Sequence, residues 1–470
     1  MGKKYFKNII LITIDSLRAD HLGCYGYDLD TTPYIDKLAK EGIVFTKCFS
    51  NSPTTLTSFK SIMTSTYPSL YDDRYLSKKR TTIAEVLQKN SVKTAGFHSN
   101  PFLSKYYGYD RGFDLFYDSV FFNQLISEDK LKGIVEGVLN WIRYAFFTVT
   151  FHAFGKPYEG IESLNRKINY WLSENKENFF LWMHYMDVHY PYISPRKYMK
   201  KFVNFGKSKA LKLNAKLVKD SDNMDERDIQ NIINLYDSCI SHTDDMLKNI
   251  IDSLDKKGIL KDSLVIITAD HGDEFLDHGG YGHSMTTAYG DAFFKPLFLG
   301  KEGDVSKAFG TKFGYPPNLY DELLHVPLIF YSPKNIKPKK VDALVQLMDI
   351  GPTIADAMGV DSVNNFIGQS LMLLVRGEPF ESRGVLSENI GSKKAIKRSY
   401  RTEDWKLIMN ENKKCELYNL KKDSKELKNV ASDNPQKLEQ LINEMFKKRK
   451  KAESVAIKKI LGKISLKLKI

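Results

Sequence analysis

The sequence predicts an α/β fold: a mostly parallel central sheet sandwiched by helices, followed by a small C-terminal α+β subdomain. Three observations predict it. Two unbroken apolar, β-branched segments each end in a carboxylate, Asn8–Ile14 running into Asp15 and Ser263–Ala269 into Asp270. Strand-like and helix-like segments alternate through the first 115 residues, the pattern of a parallel sheet covered on both faces. From about residue 375 the pattern changes to short strands, which marks a separate antiparallel unit.

The elements follow in order. A helix is predicted over Tyr34–Glu41, a short strand over Val44–Thr46, and helices over Thr57–Thr64 and Ile83–Gln88. Thr94–His98 reads as a strand. Residues 119–178 are mostly helical and aromatic. Phe179–Tyr185 is a fully apolar strand that ends at Asp187 and His189. Residues 227–258 form a long helix ahead of the Asp270 strand. Residues 285–318 are rich in Gly, Phe and Lys without a period, and read as an insertion loop. His325–Tyr331 is another strand. Trp405–Met409 and Glu416–Leu420 are short strands, and 434–447 is a helix. The expected organisation is a catalytic domain over 1–375, an antiparallel subdomain over 376–446 and a basic tail over 447–470.

The chain has 470 residues, enough to bury a large core, with 42% apolar and 27% charged residues. Its four cysteines have no C-x-x-C spacing, and no signal-peptide pattern precedes the first strand, so a reducing, cytoplasmic setting is expected. The net charge is +13, but residues 447–470 hold ten Lys/Arg and one Glu. The remainder is nearly neutral, and no nucleic-acid partner is expected.

Open α/β sheets bind ligands at the carboxyl ends of their strands, where Asp15, Asp270 and His271 fall. Two aspartates and a histidine suit a divalent cation held mainly by oxygen. Between them in sequence, Asn51–Pro68 opens with Pro53 and a Thr/Ser run that starts a helix. The local sequence leaves two readings of that run: Thr55 as a metal-activated nucleophile at an anion-binding helix N-terminus, or an ordinary helix cap.

Longer motifs decide between them. Ile12-Thr-Ile-Asp15-Ser-Leu-Arg18-Ala-Asp20-His21, then Thr32-Pro33 through Phe45, Ala269-Asp270-His271-Gly272-Asp273-Glu274 with His278 and His283, His325-Val-Pro327, Trp405-Lys406 and Glu416-Leu-Tyr418 together resemble the sulfatase family of the alkaline phosphatase superfamily. Asp187-Val-His189-Tyr-Pro191-Tyr is similar to that family's substrate-contacting loop. The resemblance implies an alkaline-phosphatase-like fold and a metal-dependent hydrolase of sulfate or phosphate esters. It implies one divalent cation (Ca, Mg, Mn or Zn) on Asp15, Thr55, Asp270 and His271. Aligning on Thr64–Pro68 puts Thr55 at the nucleophile, where the family has a Cys or Ser that becomes formylglycine. Threonine cannot make that group, so no formylglycine is expected. Phe59 stands where the family has Arg, and Gly96-Phe-His98-Ser-Asn100-Pro where it has Gly-Lys-Trp-His.

The expected mechanism has Thr55 attack an anionic ester while His189 or His283 contacts the transferring group or protonates the leaving oxygen. A second metal on Asp187, His189 and His283 ranks lower. His184 reads as a hydrogen-bonded core residue, His21 and His98 as local structure, and His278 as a weaker site candidate. In the tail, Ile457, Ile460, Leu461, Ile464 and Leu468 share a helical face opposite lysines. That stripe fits a helix lying on an anionic membrane at the inner face, or a solvated tail. The aromatic segment Val135–Phe154 contains Glu136 and Arg143, against a transmembrane span. The competing functions are a phosphoryl-group transferase or phosphodiesterase on a lipid- or glycan-linked substrate at the membrane surface, and a catalytically silent anion-binding scaffold.

Overall fold

Fourteen strands occur in a computed structural model that describes residues 4–71, 75–118, 158–283, 318–361, 366–390 and 396–467. The segments 285–318 and Val135–Phe154, read above as an insertion loop and an aromatic stretch, lie outside these residues apart from Asn318. In chain order the first ten strands are β1 (Asn8–Ile14), β2 (Ile43–Phe45), β3 (Cys48–Phe49), β4 (Lys93–His98), β5 (Leu115–Asp118), β6 (Phe179–Tyr185), β7 (Ser263–Ala269), β8 (Leu328–Tyr331), β9 (Lys339–Val341) and β10 (Val345–Gln346). Eight of them form the central sheet, in the order β5-β4-β6-β1-β7-β8-β2-β9. Only β8 runs against its neighbours; the other pairings in this sheet are parallel.

β1, β6 and β7 are buried along their whole length. That explains why their sequences show no polar alternation: a strand covered on both faces has no solvent side. Register then places the chemistry. Ile14 pairs with Tyr185 on one side and Ala269 on the other, so the chain leaves all three strands at one edge of the sheet. Asp15, Met186 and Asp270 are the next residues.

Helices complete the core in two groups. Pro33–Glu41, Ile161–Glu174, Arg196–Phe202 and Lys207–Lys219 pack on the long helix Glu226–Lys256, while Thr55–Thr64, Ile83–Lys89 and Ile350–Ala357 pack on one another. The long helix begins where the Asp225 side chain accepts the Asp228 N–H at 2.7 Å, satisfying a donor that has no partner within the helix.

The C-terminal sheet is antiparallel, in the order β11 (Val385–Ile390), β12 (Ile396–Arg401), β13 (Trp405–Met409), β14 (Cys415–Asn419). β11 and β12 were not anticipated from the sequence. This sheet buttresses the site. Lys406 on β13 is fully buried between Asp321 and Glu426, each at 2.7 Å, and Arg401 reaches Asp321 at 3.1 Å. Asp321 opens the short helix Asp321–Leu324, whose Leu323 carbonyl accepts the Gly272 N–H at 2.9 Å. The approach is so close that a Cβ at position 272 would lie 1.9 Å from the Glu322 carbonyl oxygen, so only glycine fits beside His271. Lys406→Met should therefore destabilise the protein by about 3–5 kcal/mol in urea unfolding, because it leaves the buried Glu426 carboxylate without its cation, while Asp321 keeps Arg401.

The helix predicted over 434–447 continues without a break as Pro435–Lys467. Leu441, Met445, Ala452 and Ala456 are buried along it. Arg449 pairs with the buried Glu388 at 2.9 Å and donates to the Ser69 carbonyl at 3.0 Å, so the first turns of the basic segment pack against the body. No helix among the described residues is long and apolar enough to cross a membrane.

Candidate active site

The three strand ends bring the predicted ligands together. Asp15 is fully buried and held from four directions. Its Oδ2 accepts from Asn100 Nδ2 at 2.8 Å, faces His184 Nε2 at 3.2 Å and accepts from Thr55 Oγ1 at 3.4 Å; its Oδ1 accepts from Ser16 Oγ at 2.8 Å. Ser16 has a left-handed backbone, φ 61°, which is costly for a residue with a Cβ. That turn aims the Ser16 N–H at Asp270 Oδ1, 3.2 Å away, and Tyr236 donates its hydroxyl to the Ser16 carbonyl at 2.7 Å.

His271 Nδ1 donates to the Gly272 carbonyl at 2.7 Å. A carbonyl only accepts, so the proton sits on Nδ1 and Nε2 presents a lone pair. That Nε2 lies 3.1 Å from Thr55 Oγ1, 3.5 Å from Asp270 Oδ2 and 3.9 Å from Asp15 Oδ1. Asp270 Oδ2 is buried and accepts no hydrogen bond. An orphaned carboxylate oxygen, a second buried carboxylate, an imidazole lone pair and a hydroxyl converge here, and that donor set fits one divalent cation. The electrostatics agree. Burial and the charge of Asp15 push Asp270 well above the usual carboxylate range, whereas for Asp15 the nearby His189, His184 and His271 outweigh burial and hold it low. Burial, with His283 alongside, lowers His271 to about 3 and keeps its lone pair available.

Thr55 is the first residue of the helix Thr55–Thr64. The N-cap Thr54 makes no side-chain cap bond, and the first-turn N–H groups of a helix have no acceptor within the helix itself. The helix-cap reading of the Thr/Ser run thus falls on Thr54 by position, without a side-chain cap bond.

His283 and His189 also arrive here. Their rings lie 4.9 Å apart, and His283 is 4.2 Å from His271. His283 Nδ1 pairs with Asp273 Oδ1 at 3.0 Å, while Tyr192 donates to Asp273 Oδ2 at 2.6 Å. Asp187 does not join them: its Oδ2 accepts the Ile161 N–H at 2.9 Å, at the start of the helix Ile161–Glu174. The lower-ranked second metal set on Asp187, His189 and His283 thereby loses its carboxylate, which caps this helix instead.

The remaining histidines separate cleanly. His184 is a core residue as expected, yet its place is against Asp15. Trp182 Nε1 donates to Thr13 Oγ1 at 3.0 Å, Thr13 faces His184 Nδ1 at 3.0 Å, and Nε2 reaches the carboxylate. His21 pairs with Asp237 at 2.7 Å, and His98 packs against Trp182 and Phe116. His278 bonds Glu322 at 2.6 Å and the Glu426 carbonyl at 3.1 Å, joining the site loop to the C-terminal sheet rather than entering the site. Burial opposes its charge, but the Glu322 carboxylate outweighs this and raises His278 to about 9. A raised histidine stabilises the fold fully below its unfolded value of about 6.5 and loses that contribution as pH rises through about 9. Unfolding free energy measured across pH 6.5–9 should fall, and His278→Gln should flatten the decline.

Asn100, Ser16 and Asp273 were not predicted as site residues. Asn100 carries the same signal as Asp15, a polar residue just beyond a strand's carboxyl end.

Comparisons with known proteins identify the family and the fold. The Sulfatase family model matches residues 7–360, and that for N-sulphoglucosamine sulphohydrolase, C-terminal, matches 316–454. Arylsulfatase K of Mus musculus is 22% identical over 93% of this chain and 79% of that protein; Arylsulfatase K of Danio rerio is 23% identical over 91% and 81%. Among solved structures, the phosphonate monoester hydrolase of Agrobacterium radiobacter superposes with a TM-score of 0.69 at 19% identity, covering 95% of this chain and 96% of that one. A structure in complex with its substrate D-glucosamine-2-N,6-O-disulfate gives 0.65 at 18% identity, covering 96% and 98%. Fold and site define an ester hydrolase with an α/β core. The chain belongs to the sulfatase family of the alkaline phosphatase superfamily.

Proposed function

We propose that the protein is a metal-dependent hydrolase that cleaves a sulfate or phosphate ester with Thr55 as nucleophile. The observation that carries this is the position of Thr55 Oγ1, 3.1 Å from the His271 lone pair and 3.4 Å from Asp15 Oδ2. Asp15, Thr55, Asp270 and His271 would hold the cation, which when bound acidifies the hydroxyl and polarises the ester. Thr55 Oγ1 attacks in line as the bond to the leaving oxygen breaks, its proton passing to Asp15 Oδ2, and water then hydrolyses the covalent ester on Thr55. The uncapped N–H groups of its helix hold the anionic ester oxygens. His283, fixed by Asp273, and His189 stand next to this centre and serve the leaving oxygen. The test is a panel of sulfate monoesters, phosphate monoesters and phosphodiesters, with divalent metal or chelator. Hydrolysis that persists undiminished in chelator would overturn the metal assignment.

The charge of one surface helix also suits an anionic substrate. Residues 196–219 contain nine Lys/Arg and no Asp/Glu. The helix Lys207–Lys219 is tied to the site loop by Asn214, whose Oδ1 accepts the Tyr192 N–H at 2.8 Å. Its outer side forms a groove of about 580 Å³ lined by Lys209, Lys212 and Lys216. Lys209→Glu with Lys212→Glu should raise KM for a multiply charged ester and flatten its salt dependence, with kcat unchanged.

We place the protein in the cytoplasm, as the scattered spacing of its four cysteines suggests. A second reading, group transfer at an anionic membrane surface, draws on the C-terminal helix. It runs past the packed Ala456 to Ile457, which is 55% exposed; in the sequence Ile460, Leu461 and Ile464 follow at helical spacing, and Leu468 lies outside the described residues. Deleting residues 458–470 keeps the Arg449–Glu388 pair; unchanged binding to vesicles containing anionic lipid would exclude this reading.

A further inference from the structure

We propose that Asn214 is the positioning residue for both histidines that serve the leaving oxygen, His189 and His283. The role rests on the Thr55 reaction proposed above and adds to it a residue that bonds to none of the reacting groups. Asn214 lies in the middle of the helix Lys207–Lys219 and is fully buried, on a face shared with the buried Ala210, Leu213 and Leu217. A buried amide among apolar neighbours costs free energy unless its oxygen and nitrogen are paired. Both are paired here, with its own helix and with the loop that carries His189. Oδ1 accepts the Tyr192 N–H at 2.8 Å, and Nδ2 donates to the Tyr192 carbonyl at 3.2 Å and to the Ala210 carbonyl at 2.9 Å. The Asn214 carbonyl accepts from the Tyr190 hydroxyl at 3.0 Å.

Two paths lead from that clamp to the leaving oxygen. Through Tyr190, the backbone carbonyl accepts from His189 Nδ1 at 2.5 Å. Through Tyr192, the hydroxyl donates to Asp273 Oδ2 at 2.6 Å, and Asp273 Oδ1 accepts from His283 Nδ1 at 3.0 Å. Nδ1 of each ring is thereby fixed, and Nε2 is the atom left to reach the leaving oxygen. Only Pro191 separates the two tyrosines, so a shift of the loop on Asn214 moves both rings. In the first step the bond from Thr55 Oγ1 to the sulfur or phosphorus forms as the bond to the leaving oxygen breaks. The leaving oxygen takes a proton from this histidine pair, and the water that later hydrolyses the ester on Thr55 returns one. That proton matters where the leaving alcohol is a weak acid; a nitrophenolate departs without it. Misplaced histidines therefore slow the two kinds of ester unequally, whereas a merely structural clasp would slow them alike.

The test compares kcat of the full chain, loaded with divalent metal, on an alkyl ester and a para-nitrophenyl ester of the same acid. For Asn214→Ala, kcat on the alkyl ester should fall about 100-fold, the scale of a displacement of about 1 Å, and on the para-nitrophenyl ester by no more than about 3-fold, with KM little changed. Tyr190→Phe keeps the ring and removes the hydroxyl that meets the Asn214 carbonyl; it should show the same contrast at about 10-fold. Far-ultraviolet circular dichroism reports whether each variant is folded, and Tyr190→Phe decides the matter if Asn214→Ala is not. Equal losses on the two esters, or none on either, in a folded variant would overturn the role. Thr55→Ala as active as wild type, alongside the contrast between esters, would remove the nucleophile and leave the role of Asn214 standing. No hydrolysis of either ester by wild type would overturn both.

Discussion

Thr55→Ala is expected to lower kcat/KM by about four orders of magnitude or more while leaving the melting temperature close to wild type. Removing a nucleophile disables the set of groups that acts on it, so a single substitution costs nearly as much as losing them all. Little structural loss accompanies it. Thr55 begins its helix, alanine is the better helix former, and the hydroxyl bonds only to groups of the site, Asp15 and His271. Thr55→Ser keeps the oxygen and should keep a large part of the rate. Steady-state kinetics on the most active ester of the panel, with parallel thermal melts, decides the matter. If Thr55→Ala retains wild-type activity, the nucleophile lies elsewhere.

Asp270→Asn should change stability in opposite directions with and without metal. In chelator the substitution removes a buried carboxyl whose Oδ2 has no hydrogen bond and whose ionisation is opposed by burial and by Asp15. The variant should then be more stable than wild type by about 1–3 kcal/mol, the scale of an unsatisfied buried polar group. With saturating divalent metal, wild type should gain the binding free energy and the variant should not, so the order reverses and activity is lost. Thermal melts of both proteins in chelator and in metal read this directly. The same sign in both conditions would mean that Asp270 is a structural carboxylate and not a ligand.

Much of this site was legible along the chain because strand ends are legible. β1 and β7 are continuous apolar runs, and the first polar residue after each, Asp15 and Asp270, marks the sheet edge. His271 follows Asp270 directly, and Thr55 opens a helix announced by Pro53. What the chain did not disclose depends on direction rather than identity. His184 and Asp187 sit at the end of the same strand with similar local patterns. Parallel pairing turns His184 onto Asp15, and the start of the helix Ile161–Glu174 draws Asp187 away. Asp273 looked like part of a polar turn until Tyr192 and His283 met it from other segments.

The sequence by itself determined the sheet edge, the metal-type residues at it and the threonine at its centre, because these follow from local hydrophobic pattern and residue chemistry. Only the tertiary structure decided which histidines share that centre and which brace it. Hydrogen-bond partners such as Tyr190, Asp273 and Glu322 are assigned by packing between segments far apart in the chain, and no local pattern encodes which side chain finds which carbonyl or carboxylate.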